Sequence, residues 1–366
     1  MTVPDRTETS STEDTIESAE KAIASGTRWL KNRIGPDGHP GCNHGHYYRV
    51  PWALAITGNR TEAAAVLSWV EREALDGSGD LKPGAPRSGF ETKWASYPLT
   101  NLATGAWHLE RYDTARRITE RLVDFQHPET GGAFAGHPDH REDARQDLFP
   151  TAQLGMTGLT TGARHLADGA YNWLGMIYEA QPELPGRLYS ATQDAELILD
   201  PDEELEWQVV TDFSKPRQAF YNPGIAAAFL GRYYMATGDE GALQLARDFL
   251  DLTVQGSDVQ FDYTDSVQVC KFGWGSSILL EATGEDQYLE HTLSMGQWFC
   301  DAQNDDGSWD NSPFLMERAA DRDSVRVEIT AEFVQHLVTI VTALGGRART
   351  ETDIHPRLAQ QPTIRQ

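Results

Sequence analysis

The sequence has few cysteines and few lysines, and these shortages exclude several classes of protein. Its 366 residues include 3 cysteines, too few and too scattered for a disulfide framework. Only 6 of the 31 basic residues are lysine, and 55 acidic residues bring the net charge to −24. Nucleic acids and anionic membranes bind clustered basic residues, so we expect neither as a partner. At 39% hydrophobic and 10% aromatic residues, the chain has the apolar content that disordered acidic chains lack.

Long apolar segments are also missing. No run approaches the roughly 18 residues that a membrane-spanning helix needs. The first residues are acidic and polar, without the basic start and apolar centre of a signal peptide. Together with the low cysteine content, this indicates a cytoplasmic protein. We expect its partner to be a small-molecule substrate, and the protein could also form homo-oligomers.

Two kinds of helical segment alternate along the chain. Six are amphipathic, with apolar residues at helical spacing and a charged opposite face: 16–33, 61–75, 113–127, 163–180, 240–254 and 286–302. Six are apolar or small nearly all round, which is typical of fully buried helices: 46–58, 95–109, 149–161, 222–237, 266–283 and 326–344.

Strict alternation of six inner and six outer helices predicts an all-α fold, an (α/α)6 barrel of six helical hairpins. We expect it to span residues 15–346, between disordered tails at 1–14 and 347–366. An open solenoid of hairpins is the alternative, and the near-complete apolar character of the inner set favours a closed ring.

The connection before each inner helix differs in length from the connection after it. Inner-to-outer turns are short, whereas outer-to-inner loops are long and must lie at one end of a barrel. The longest insertion is predicted to carry a small β-hairpin near 187–213, because its ends are rich in β-branched and aromatic residues. Long loops on a rigid scaffold commonly carry function, so we expect the active site at the N-terminal ends of the inner helices.

Three residues in these loops are candidate catalytic groups. Asp147 and Asp212 each come shortly before an inner helix, where a carboxylate could give or take a proton. For Asp147 the alternative is a helix cap. His46 is the third group, since its side chain titrates near neutral pH.

Further residues are candidates for substrate binding. Aromatic rings could stack on a sugar or an apolar ligand, and the cationic groups could hold a polar or anionic substituent. The set is His44, Trp94, Tyr97, Arg217, Tyr221, Lys271, Trp274 and Trp309. We expect no cofactor; the alternative is a divalent metal on Cys42, His44 and His46. On the last inner segment, Glu328, Glu332 and His336 form one helical stripe, which either points into a polar cavity or forms a satisfied core network.

Two sequence patterns resemble known families. QNDDGSW (303–309) resembles the QxxxGxW repeat of triterpene cyclases, and FQHPETGGAF (125–134) keeps its glutamine and glycines. That resemblance implies a toroid whose helix ends are tied together. The hairpin rhythm, with WGSSILLEATGEDQYLEHT and similar turns, looks like six-hairpin glycosidases and sugar epimerases. The DxDD acid motif of the cyclases is absent.

These observations leave three hypotheses about function. The first is an enzyme that performs acid–base chemistry on a small hydroxylated, carbohydrate-like substrate, by hydrolysis, elimination or epimerisation. The second is a terpenoid-type cyclase or (de)hydratase-isomerase, in which the aromatic residues would stabilise cationic character. The third is a non-enzymatic helical-repeat binding protein.

Overall fold

The fold is described from a computed structural model that covers residues 11–91, 93–140, 143–262 and 269–358. Six inner helices form a ring: α2 (Val50–Ile56), α4 (Tyr97–His108), α6 (Leu148–Thr161), α9 (Tyr221–Thr237), α11 (Cys270–Thr283) and α14 (Arg322–Leu358). Six outer helices cover them: α1 (Thr12–Lys31), α3 (Arg60–Glu73), α5 (Tyr112–Leu122), α7 (Arg164–Glu179), α10 (Glu240–Gln255) and α12 (Asp286–Asp301).

The ring is closed, which confirms the predicted (α/α)6 barrel. Each inner helix packs against the next, and α14 packs against both α11 and α2. The first outer helix, α1, packs against α14 and α12. Prolines at the first turns of α4, α6 and α9 fit there because the missing N–H has no helical partner at that position.

The tail boundaries differ from the prediction at both ends. Helix α1 begins at Thr12, because Ser11 caps it and Asp14 completes a capping box. Helix α14 continues to Leu358, twelve residues into the segment predicted as a disordered tail. The outermost residues, 1–10 and 359–366, lie outside the described part of the chain.

Helix α14 also corrects the expectation that no segment is long and apolar enough to cross a membrane. The stretch Arg322–Arg347 has a mean hydropathy of 1.3 over its best window, and 72% of that window is buried inside the protein. The apolar surface of this helix is therefore explained by its place in the barrel wall.

The long loops gather at one end, as predicted, and neighbouring loops are joined by backbone hydrogen bonds. The Ala95 N–H donates to the Ala135 carbonyl, and the Leu148 N–H donates to the Ser190 carbonyl. The short inner-to-outer turns lie at the other end, where Gly162 and Gly238 take the left-handed conformation after α6 and α9.

The insertion between α7 and α9 contains the expected β-structure. Strand β2 (Arg187–Tyr189) pairs antiparallel with β5 (Val210–Asp212). Next to them, β3 (Ala191–Gln193) pairs with β1 (Gln146–Asp147) and with β4 (Glu196–Leu197). Residues 206–209, which the sequence predicts as the start of the second strand, instead belong to helix α8 (Glu203–Val209), because Asp202 caps it and its first turn is acidic. One more short helix, α13 (Pro313–Met316), lies before α14.

The stretch that resembles QxxxGxW ties the C-terminal end of α12 to the middle of α1, which differs in part from the helix-end contacts that the resemblance implies. The side-chain amide of Gln303 donates to the carbonyl of Ala22 on α1 and to that of Gly307, both at 2.9 Å. Gly307 has φ +91°, and a Cβ there would meet the backbone of Ser25. The similar stretch FQHPETGGAF (125–134) makes an equivalent contact between helices. The side-chain amide of Gln126 donates to the carbonyl of Leu166 on α7 at 3.0 Å.

Candidate active site

A cavity of about 680 Å³ opens among the long loops. Its walls come from the loops before α2 and α4, from the first turn of α6 and from the start of α14. Aromatic side chains and a few polar groups converge on it. The lining includes His46, Tyr48, Arg49, Phe90, Trp94, Tyr97, Phe149 and Glu328.

A histidine–carboxylate pair stands in the wall of this cavity. His46 Nδ1 lies 2.7 Å from Glu328 Oε2, and the Tyr48 hydroxyl donates to the other oxygen of Glu328. No hydrogen bond from the described residues reaches the second imidazole nitrogen of His46, Nε2. The side chain of His46 is 26% exposed and that of Glu328 19%, so a ligand in the cavity can reach the pair.

Glu328 sets the protonation behaviour of His46. Burial alone would lower the pKa of His46, but the hydrogen bond and charge of Glu328 outweigh burial and raise it. Burial would raise the pKa of Glu328, and the contacts with His46, Arg49 and Tyr48 lower it instead. Glu328 therefore stays ionised and orients the imidazole, which leaves Nε2 to accept or donate a proton.

A more deeply buried charge network lies beneath the pair. Glu332, one turn further along α14, accepts hydrogen bonds from Arg49 on one oxygen and from Lys271 on the other. His336 Nε2 is 3.4 Å from the oxygen that Lys271 contacts. The side chains of Arg49, Lys271 and Glu332 are at most 7% exposed. Burial would raise the pKa of Glu332, but the two cations hold it well below its ordinary value.

The stripe of Glu328, Glu332 and His336 therefore combines both expected outcomes. Glu328 faces the cavity, whereas Glu332 belongs to a satisfied core network. His336 lines a second cavity of about 180 Å³, between Trp52 and Trp274, toward the end with the short turns. Burial lowers the pKa of His336 to about 4.

Aromatic rings form another part of the wall of the large cavity, next to Tyr48, whose ring centroid lies 5.7 Å from that of Tyr97. Tyr97 packs on Phe149 with ring centroids 4.3 Å apart, and Trp94 lies 5.1 Å from Phe149. Behind them, Tyr221 contacts both Trp94 and Phe149. The ammonium of Lys271 lies 5.2 Å from the Phe149 ring centroid, so the buried network and the aromatic wall adjoin.

Several predicted residues lie here and several do not. His44, His46, Trp94 and Tyr97 line the cavity, and Tyr221 and Lys271 stand directly behind its wall. Trp309 is fully buried and donates to the Phe299 carbonyl at 2.8 Å, so it packs behind α14 and forms no wall.

Three further candidates lie elsewhere. Trp274 lines the small second cavity. Arg217 lies over the ring of Phe314, 5.1 Å from its centroid. The carboxylate of Asp212 contacts groups of its own insertion, Ser214, Lys215 and Arg187. Burial would raise its pKa, but the hydrogen bonds of Ser214 and the hydrogen bond and charge of Lys215 lower it to about 2. A carboxylate so firmly ionised is a poor proton donor.

Asp147 is buried at the first turn of α6 but does not cap the helix with its side chain. Burial raises its pKa to about 6, although Arg145 Nε lies 3.1 Å away. Burial raises the pKa of Tyr221, and the negative charge of Asp147 raises it further. Asp147 therefore lies near Tyr221, at the rear of the aromatic wall. It is close to the site without lining the large cavity.

The described residues offer two sets of converging metal-ligand atoms, and neither is the predicted one. Cys42, His44 and His46 do not converge: His44 stacks on Trp69 while His46 binds Glu328. In the set Cys270, Glu332 and His336, the ammonium of Lys271 already occupies the position beside Glu332 that a cation would take.

The second set, Asp80, His137 and Asp139, is engaged by arginine. Arg121 Nε donates to Asp80 at 2.8 Å, and Arg87 lies 3.4 Å from the same carboxylate oxygen. Both sets are therefore occupied by the protein's own cations.

Sequence reasoning missed Tyr48 and Arg49 and left the role of Glu328 undecided. One signal was available, because Arg49 is a single charge at the start of an apolar helix, just as Lys271 is. A buried charge needs a partner, and Glu332 was the matching acid on an equally apolar helix.

Comparisons with known proteins agree on the architecture. No family model matches the sequence, and no curated protein matches it. D-mannose isomerase has a TM-score of 0.64 at 10% identity, covering 88% of this chain and 97% of that one. A GH76 alpha-mannanase from Bacteroides thetaiotaomicron has a TM-score of 0.60 at 10% identity, covering 92% and 97%. The type II terpene cyclase MstE from Scytonema has a TM-score of 0.55 at 11% identity, covering 90% and 99%.

At this identity the likeness shows the fold alone. It confirms the resemblance to α/α-toroid enzymes, and the chain spans nearly the full length of all three proteins. Which chemistry the cavity performs has to be argued from its own residues.

Proposed function

We propose that the protein is an enzyme that moves a proton on a small, hydroxylated, carbohydrate-like substrate, by isomerisation or epimerisation. The observation that carries this proposal is the hydrogen bond between His46 Nδ1 and Glu328, which leaves Nε2 available at the cavity. A histidine held in this way can remove a proton from a carbon next to a carbonyl group and return it.

The aromatic wall supports a sugar-like substrate. Phe90, Trp94 and Tyr97 present ring faces or edges to the cavity, while Arg49 and Tyr48 bring polar groups to the same space. Apolar faces beside a few fixed donors suit a molecule that carries both C–H faces and hydroxyl groups.

Hydrolysis of a glycoside is less well supported. That reaction uses two carboxyl groups, one of which must carry a proton to the leaving group. In the described cavity wall and floor, both oxygens of Glu328, of Glu332 and of Asp321 are already engaged by donors, and all three pKa values are lowered. A histidine that exchanges its proton reversibly fits isomerisation better.

Proton exchange with solvent provides the test. The purified protein is incubated in D2O with a panel of aldoses and ketoses, including D-mannose, and loss of the C2–H signal of each aldose, or of the C1–H signal of each ketose, is followed by NMR. We expect exchange on at least one sugar and a drop of 100-fold or more for His46→Asn. His165→Asn, on the exposed face of α7, is the matched control. Exchange that survives His46→Asn would refute the assignment.

A terpenoid substrate is the second candidate, and the aromatic group of Trp94, Tyr97, Phe149 and Tyr221 favours it. Such rings stabilise carbocations. The buried cations Arg49 and Lys271 next to these rings oppose a cationic intermediate, however, and no DxDD acid is present. Incubation with squalene and geranylgeraniol, followed by gas chromatography, would show cyclised products if this candidate were correct.

We further propose that the enzyme works without a cofactor and in a reducing compartment such as the cytoplasm. No disulfide joins Cys42, Cys270 and Cys300, which supports that location.

A further inference from the structure

The hydroxyl group of Tyr97 holds an unusual position in the cavity wall. Tyr97 begins α4, is 3% exposed, and its ring is fixed against Phe149. Arg49 Nη2 donates a hydrogen bond to its oxygen at 2.5 Å. The hydroxyl is therefore oriented by a guanidinium group that is itself held by Glu332.

The proton of this hydroxyl has no acceptor in the described part of the protein. A phenol can donate one hydrogen bond and accept others, and here the accepting side is taken by Arg49. A buried donor without an acceptor is rare in folded proteins, unless water or a ligand supplies the acceptor. Because Tyr97 lines the same cavity as His46, an oxygen atom in that cavity is the natural acceptor.

We propose that Tyr97 is a second catalytic residue, which donates its proton to the substrate oxygen while His46 acts on the neighbouring carbon. This inference rests on the proposed function. It differs from the stacking role that the sequence suggests for Tyr97, because the reacting part of the side chain is the hydroxyl and not the ring face.

Nearby charges suit this role. Burial raises the pKa of Tyr97, while Arg49 and Lys271 pull it down, and the net effect is a raised value. The phenol therefore stays protonated at neutral pH and is ready to donate. When the proton leaves, the phenolate is stabilised by Arg49 directly and by the ammonium of Lys271 nearby.

The step balances without a further reactant. His46 Nε2 takes the proton from the carbon next to the carbonyl, and the electrons of that C–H bond form a C=C bond. The carbonyl π electrons move to oxygen, which takes the proton of Tyr97, giving an enediol, a protonated His46 and a tyrosine phenolate. The protonated His46 then gives its proton to the former carbonyl carbon, where the electrons of the C=C bond form the new C–H bond. The second hydroxyl of the enediol gives its proton to the phenolate of Tyr97 and becomes the new carbonyl, which completes isomerisation and restores both residues.

The first test is structural and does not depend on turnover. A crystal structure at atomic resolution, without ligand and after soaking in D-mannose, is examined at Tyr97 Oη. We expect an oxygen of water, or of the sugar, within hydrogen-bond distance of Oη in addition to Arg49. If the hydroxyl donates to a protein group, or if no oxygen lies in reach in either crystal, the proposal is overturned.

The second test compares Tyr97→Phe with Tyr171→Phe, the same change on outer helix α7. On the sugar that shows exchange, Tyr97→Phe should lower kcat by 100-fold or more while KM changes less than threefold, because the ring and its packing remain. Tyr171→Phe should match the unchanged enzyme.

The results separate the two hypotheses. If exchange occurs and Tyr97→Phe retains the full kcat, Tyr97 is not a proton donor, although the proposed function stands. If the unchanged enzyme exchanges no sugar, the proposed function fails, and the crystals still decide whether Tyr97 donates into the cavity.

Discussion

Lys271 on α11 and Glu332 on α14 form a hydrogen-bonded ion pair in the floor of the barrel, with side chains 5% and 7% exposed. Arg49 from α2 completes the group by binding the second oxygen of the same carboxylate. Three inner helices are thus joined through one carboxylate. Removing charges from water is costly, so such a group depends on every partner being present.

We expect Lys271→Met to destabilise the protein by about 3 kcal/mol, because it leaves the buried Glu332 with half of its compensating charge. The measurement is urea denaturation followed by circular dichroism. Lys21→Met, which removes an exposed i,i+4 pair with Glu17, should change stability by no more than about 0.5 kcal/mol. Equal effects of the two substitutions would show that the Lys271 pair is not buried.

The pKa of His46 should fall when its partner is neutralised. Glu328→Gln removes the charge that raises this pKa, while burial, which lowers it, remains. An NMR titration of the His46 ring should therefore give a value above 6.5 in the unchanged protein and below 6.5 in the variant. An unchanged midpoint would contradict the assigned partner.

The same pair makes stability depend on pH. Because the folded pKa of His46 is raised, its contribution is complete below pH 6.5 and is lost as the pH rises through the folded value. Glu328→Gln should abolish this part of the dependence.

The contributions of Asp147 and Asp212 to the free energy of unfolding should change with pH in opposite directions. Burial raises the pKa of Asp147 from 3.8 to about 6, so its ionisation weakens the folded state as the pH rises between those values. Between pH 4 and pH 7, the free energy of unfolding of Asp147→Asn should rise by about 2–3 kcal/mol relative to that of the unchanged protein. The pKa of Asp212 is lowered to about 2, so its contribution is present above pH 3.8 and is lost as the pH falls.

Urea denaturation at pH 4 and pH 7 checks the sign for Asp147, and a further measurement at about pH 2.5 checks the sign for Asp212, whose contribution is lost only below pH 3.8. Asp212→Asn should be less stable than the unchanged protein at pH 7 and closer to it in acid. If Asp147→Asn shows the same direction of change, the burial argument for Asp147 is wrong.

Gln303 and Gln126, which each tie the end of one outer helix to another outer helix, should contribute to stability independently. Gln303→Ala removes hydrogen bonds to the carbonyls of Ala22 and Gly307. This substitution should lower the free energy of unfolding by about 1–3 kcal/mol. Gln126→Ala should cost a similar amount, and the double variant should show the sum, since the two sites share no partner. Sugar exchange measured on the variants should be unaffected, because neither residue lines the large cavity. A strongly non-additive double variant would reveal coupling through the ring.

The sequence was sufficient to predict the architecture because each hairpin repeats the same local pattern. Apolar inner segments, proline at their first turns and glycine after their last turns are short-range signals, and all lie where the structure has helix ends. The boundaries at residues 14 and 347 were less accurate. At the first boundary a capping box starts α1 within a polar stretch. At the second, α14 continues through Gly345 and Gly346, a pair typical of helix ends, into polar sequence.

The site was harder to predict because its key contacts join distant parts of the chain. His46 and Glu328 are 282 positions apart, and nothing local to either residue indicates the other. Asp212 looked equally suitable in sequence, yet its neighbours Ser214 and Lys215 neutralise it locally. Trp309 was misplaced for a related reason, since an indole in a loop near the rim can also turn inward and pack behind a helix.

The pairing of His46 with Glu328 has a consequence for how the ring can open. Every other pair of neighbouring hairpins is linked by the chain, but the first and the last meet along a seam that no peptide bond crosses, and this pair bridges it. The proton-transferring groups are therefore assembled only while the toroid is shut. If the last hairpin separated from the first, the molecule would keep most of its helices but would lose catalytic activity. At increasing denaturant concentration, activity should therefore be lost before most of the helical circular dichroism signal.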